Sequence, residues 1–112
     1  MRNVAIGALA SLFLTGTALA EDLAAIEVNY RCDGGVDLPV VFLNNLSPDQ
    51  LAVALIEGRL VTMRQAVSGS GIRYVAVGDA APFVLRGKGD DATLYRGEDE
   101  AEEVLTGCKA RE

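Results

Sequence analysis

The sequence predicts an all-β domain, a small eight-stranded antiparallel β-barrel closed by one disulfide, and three observations carry that prediction. Apolar runs beyond residue 20 are short and bounded by Gly, Asp, Asn, Pro or Ser. The segments between them are rich in residues that tolerate positive φ, as hairpin connections require. The only two cysteines, Cys32 and Cys108, stand near opposite ends of that stretch. No internal repeat, low-complexity segment or linker divides it, so a single domain is expected.

The amino terminus is set apart. Arg2 precedes an apolar run from Val4 to Leu14, broken only by Gly7 and Ser11, and Ala18 and Ala20 form the A-x-A pattern of a signal-peptidase site. Residues 1–20 therefore read as a cleavable signal peptide cut after Ala20, and residues 21–112 as the domain. The apolar run is too short to span a bilayer. No cysteine adjoins the cut to carry a lipid, so the expected product is a soluble periplasmic protein without a membrane anchor.

Eight runs then read as strands: Ala25 to Cys32, Leu38 to Leu43, Leu51 to Glu57, Leu60 to Ala66, Gly71 to Val77, Pro82 to Leu85, Thr93 to Arg96 and Val104 to Cys108. In the first, Val28, Tyr30 and Cys32 share one face while Asn29, Arg31 and Asp33 share the other, the period of a half-buried strand. Glu57-Gly58 is a tight-turn candidate between two apolar runs. Two segments compete with a pure β reading. Ser47 could cap a helical turn over Pro48 to Leu55, although Val53 and the β-branched residues that follow favour strand. Asp99 to Glu103 reads as a solvated turn or short helix. An up-and-down sheet that closes on itself leaves no exposed edge and is the architecture expected.

Removing 20 of the 112 residues leaves 92, a size at which a staple helps a small core. An exported chain meets an oxidising compartment, and two cysteines allow one intramolecular pairing, Cys32 with Cys108; two free thiols or an intermolecular bridge are the alternatives. Losing Arg2 from the ten basic residues leaves nine against sixteen acidic ones, a mature charge of −7. Nucleic acid and anionic membranes are thereby disfavoured, and a basic protein partner would be steered in. Solubility alone would also account for that charge.

The chain has no histidine, which removes His-based triads and imidazole metal sites. Asp90-Asp91 and Glu102-Glu103 are neighbours whose strand geometry points them apart, which suits a paired-carboxylate glycosidase poorly. A Ser-Lys dyad of Ser70 and Lys88 is the one nucleophilic arrangement available. Asp33-Gly34-Gly35-Val36-Asp37 and Gly89-Asp90-Asp91 offer oxygen ligands of the kind calcium takes, but neither follows an EF-hand loop. No enzyme, metal or cofactor is expected.

Four segments appear in one order: Tyr30-Arg31-Cys32-Asp33-Gly34, Ser70-Gly71-Ile72-Arg73-Tyr74, Lys88-Gly89-Asp90-Asp91-Ala92-Thr93-Leu94 and a late Cys108. In this the chain resembles the MliC/PliC family of c-type lysozyme inhibitors. The resemblance spans the region after the leader and implies an eight-stranded antiparallel barrel with bridged cysteines. It implies further that a c-type lysozyme is the partner, and that the loops of Ser70 and Lys88 enter its cleft and block its catalytic carboxylates. Ser70, Gly71, Lys88 and Gly89 would make the contacts, with Tyr74 structural behind them. The chain departs from the pattern at Phe83 to Gly87, where aromatic residues often including Trp commonly precede the lysine motif. The alternative function is a non-enzymatic exported barrel that binds a small ligand or an envelope partner; homodimerisation through an edge strand is left open.

Overall fold

A computed structural model describes residues 24–44, 50–78 and 82–111. The expected leader and the Ser47 cap lie outside these residues. Eight strands follow in order: β1 Ala24–Cys32, β2 Val36–Asn44, β3 Leu51–Ile56, β4 Arg59–Gln65, β5 Ile72–Ala76, β6 Phe83–Lys88, β7 Asp91–Arg96 and β8 Glu102–Arg111. Each pairs antiparallel with the next, and β1 pairs with β8, so the sheet is a closed barrel. The all-β expectation holds, strand for strand.

Among the described residues, the barrel closes where β1 meets β8 through three register pairs, Asn29 with Arg111, Tyr30 with Ala110 and Arg31 with Lys109. Continuing that register sets Cys32 opposite Cys108, and the two are bonded across 76 residues of sequence. The disulfide thus reinforces a short seam, and in the chain-entropy account a loop of this length is worth about 4 kcal/mol.

Alternation decides what fills the interior. Tyr30, Leu38, Val40, Phe42, Ala52, Ala54, Ile56, Val61, Met63, Tyr74, Phe83, Leu85, Ala92 and Leu94 form one buried cluster with the cystine. Large side chains on some strands face the alanines Ala52, Ala54 and Ala92 on others, which lets eight strands close around a filled centre. The Phe42 and Tyr74 rings pack edge to face at 5.4 Å between centroids.

Three connections differ from expectation. β6 does not end at Leu85: Gly87 pairs with Ala92 and Lys88 with Asp91, leaving Gly89-Asp90 as a two-residue turn with Gly89 at φ 61°. Glycine at the first turn position meets that geometry, and the short turn lets the ladder run on. β8 runs from Glu102 to Arg111, longer at both ends than the apolar run predicts, because ladder pairing with β7 and β1 carries the flanking charged residues along. Asp99 to Glu103 is neither helical nor simply solvated: Glu102 and Glu103 are strand, and Glu100 turns the chain at φ 59° with its side chain only 19% exposed.

That last segment shapes the outside of the barrel. Val84 is fully buried, yet it stands outside the core cluster, on the outward face between inward Phe83 and Leu85. The 97–101 connection folds back beside it. Gly97 N donates to the Pro82 carbonyl at 2.7 Å, and the Glu98 carbonyl accepts from Arg73 Nη2 at 3.0 Å. The connection is therefore a strap across the outer face of β5 and β6.

Candidate functional site

The antiparallel order puts the 66–71 connection and the Gly89-Asp90 turn at the same end of the barrel. Register then brings their two motifs together. Ile72 pairs with Gly87, so Gly71 stands beside Lys88, and the approach is close: a Cβ on Gly71 would lie 2.2 Å from the Gly87 carbonyl oxygen. Gly71 also has φ 69°. Two independent constraints, a left-handed backbone and absent space, require glycine here. Gly87 meets the Ile72 side chain, whose Cγ1 would be 3.1 Å from an added Cβ, so the two strands are tightly apposed.

This apposition leaves an open cleft of about 260 Å³ lined by Ser70, Ile72, Arg86, Lys88, Asp91 and Thr93 along with Gly87 and Ala92. Ser70 and Lys88 are exposed in its lining, and Gly71 and Gly89, next to them in sequence, are exposed too. Lys88 is the last residue of β6, not part of a loop, so its Cα is fixed by the ladder and only its side chain is free to reach. Tyr74 lies one pleat inward with its hydroxyl pushed above the ordinary phenol range by burial.

Electrostatics distinguish Lys88 from its neighbours. Among the described residues its ammonium has no hydrogen bond or ion pair, and neither does the Ser70 hydroxyl. Asp91 faces Lys88 across the ladder and would be its natural partner, but the Asp91 carboxylate is taken by Lys109 from β8. That contact raises the Lys109 pKa. The pairing leaves Lys88 as an exposed cation with donors to spare. Ser70 and Lys88 make no hydrogen bond to each other, so the dyad that a Ser-Lys nucleophile needs is not formed.

Of the acids considered for calcium, Asp33, Asp37 and Asp91 are otherwise engaged. Asp37 accepts from Arg31 Nε at 2.6 Å, and Asp33 accepts from the Thr106 hydroxyl at 3.0 Å. No group of acidic, cysteine or histidine side chains among the described residues could hold a metal ion.

Sequence reasoning missed the supports of the site. Arg86 Nε donates to Glu100 Oε1 at 2.7 Å and Arg73 Nε to Glu100 Oε2 at 2.9 Å. Arg86 Nη1 reaches the Ser68 hydroxyl at 3.5 Å, and that hydroxyl donates to the Ser70 carbonyl at 2.6 Å. The Arg86 hydrogen bond, with help from Arg73, holds the Glu100 carboxyl below the usual carboxylate range. No local signal marks this cluster, because Glu100 meets Arg73 and Arg86 from 27 and 14 residues away.

Fold and site together define a class: a small disulfide-closed β-barrel that presents an exposed serine and an exposed lysine at one end. A family model described as membrane-bound lysozyme-inhibitor of c-type lysozyme, MliC, matches residues 30–103, and the chain belongs to that family. It is 37% identical over 87 residues to the membrane-bound lysozyme inhibitor of C-type lysozyme of Cupriavidus necator, an alignment covering 75% of this chain and 65% of that protein. The crystal structure of PliC-St, the periplasmic lysozyme inhibitor of C-type lysozyme from Salmonella typhimurium, superposes with a TM-score of 0.69 at 24% identity. That match covers 80% of this chain and all of the other, and it supports the barrel fold.

Proposed function

We propose that this protein is a stoichiometric inhibitor of c-type lysozyme. It acts in the periplasm after export and removal of residues 1–20, and it performs no chemistry and needs no cofactor. The Cupriavidus necator relative is named for inhibition of that enzyme class. One observation carries the reading for this chain: Ser70 and Lys88 converge on one open cleft with hydroxyl and ammonium both unpartnered among the described residues, while Lys109 occupies the acid that would otherwise quench Lys88.

A retaining lysozyme works with two cleft carboxyl groups, one an acid and one a nucleophile. A hydroxyl donor and an ammonium are suited to engage both. Ser70, Gly71, Lys88 and Gly89 would form the contact, with the glycines allowing close approach and buried Tyr74 supporting the strand behind. Because the barrel and the disulfide fix both segments beforehand, little ordering entropy is lost on docking. The net charge of −7 expected after leader removal would steer encounter with a basic lysozyme.

The test is titration of a bacterial-wall lysis assay by the purified, oxidised protein together with Ser70→Ala and Lys88→Ala variants. Lysis should stop near equal stoichiometry. Each substitution should weaken inhibition by about 2 kcal/mol, about 30-fold, as loss of a charge-assisted contact does. Unimpeded lysis at large excess of folded protein would overturn the reading.

A further inference from the structure

We propose that Glu100, at the apex of the 97–101 strap, is a positioning residue for Ser70, acting through Arg86 and Ser68. The proposal rests on the inhibitor reading above and adds a residue that touches no partner. Its basis is a continuous set of contacts. Glu100 spans two arginines on adjacent strands, Arg73 of β5 and Arg86 of β6. Arg86 extends one nitrogen to the Ser68 hydroxyl, and that hydroxyl holds the Ser70 carbonyl. Arg73 contributes from its other side, since its carbonyl accepts the Ala66 N–H at 2.7 Å where the 66–71 connection begins.

The arrangement matters because the connection has little else to hold it. Val67 is 93% exposed and Gly69 has open space around it, so no apolar burial anchors the segment between Ala66 and Gly71. A segment without buried contacts orders only through its hydrogen bonds. Two of them involve Ser68, one internal to the loop and one to Arg86. Removing the Glu100 charge would free the Arg86 guanidinium to turn toward water or into the cleft that it lines, and Ser68 would lose its link to the barrel wall. Glu100 stands at φ 59° where its N–H closes the turn on the Gly97 carbonyl at 2.8 Å, and its carboxylate meets both arginines from there.

A purely structural role is the competing account, since the strap also lies beside buried Val84. Three measurements on Glu100→Gln separate them. In the free protein, backbone amide order parameters at Val67 to Gly71 should fall below about 0.6 while Val84 and Tyr95 keep theirs; uniform loss across both groups, or no change at Val67 to Gly71, overturns the proposal. Against lysozyme, inhibition should weaken about fivefold. That loss should vanish when Ser70 is already Ala and persist in full when Lys88 is already Ala; equal losses in both backgrounds overturn it. Failure of the parent protein to inhibit would remove the inhibitor reading, and the order parameters would still decide whether Glu100 orders the loop.

Discussion

Two hairpin turns of equal length stand at opposite ends of this barrel, and they use charge in opposite ways. At Glu57-Gly58 both residues have positive φ, 52° and 78°, the backbone of a type I′ turn. The Glu57 carboxylate is held by Arg96 at 3.2 Å, and Arg96 lies 5.1 Å over the Phe83 ring. At Gly89-Asp90 the adjoining cation Lys88 has no partner among the described residues, and the acid across from it is occupied. One end closes on itself; the other keeps donors for something outside. Strand pairing makes both turns, and only the side chains around them determine which end can bind.

Both ends depend most on the seam between β1 and β8 that the disulfide bridges. Reduction of the disulfide or Cys32→Ser should cost about 4 kcal/mol and weaken inhibition with it, as thermal unfolding and lysis assays with and without reductant would show. The next effect separates the ends. Gly71→Ala should destabilise by about 3 kcal/mol, since its Cβ would overlap backbone and its φ is left-handed. Gly58→Ala, with open space at φ 78°, should cost only about 1 kcal/mol of backbone strain and leave inhibition intact. Urea unfolding of the two variants checks the order, and a smaller loss at Gly71 would remove the argument for close apposition.

Subtler changes sharpen the electrostatic contrast. Lys109→Ala frees Asp91 to pair with Lys88, so inhibition should weaken several-fold, whereas Arg96→Ala at the other end should leave it unchanged; inhibition constants for the two variants decide it. The smallest effect is in pH. Glu100 faces Arg73 and Arg86, and its pKa is lowered, so its contribution is present above the ordinary carboxylate range and is lost as pH falls through the lowered value. Backbone order parameters of residues 67–71 should hold from neutral pH into that range, fall below it, and be flat there in Glu100→Gln.

Much of this architecture was legible in the sequence. Alternation at Val28, Tyr30 and Cys32, short apolar runs and Gly-rich connections identify all eight strands, because burial on one face imposes a period of two. Strand ends were less legible: Lys88 and Glu102 are charged, and hydrogen-bond ladders continue past the apolar residues that reveal a strand. The motifs around Ser70 and Lys88 were visible as motifs, but their juxtaposition follows from β5–β6 register. Glu100 was hidden for a further reason. An acidic run looks solvated unless the cations it meets are known, and Arg73 and Arg86 come to it only after the sheet has closed.

The central claim is that the Ser70 and Lys88 end enters the lysozyme cleft. Its most direct test is competition between this protein and a cell-wall oligosaccharide bound in the cleft of a c-type lysozyme, followed by calorimetry or fluorescence. The account predicts mutually exclusive binding, with apparent affinity falling in proportion to saccharide occupancy. A ternary complex with undiminished affinity would contradict it.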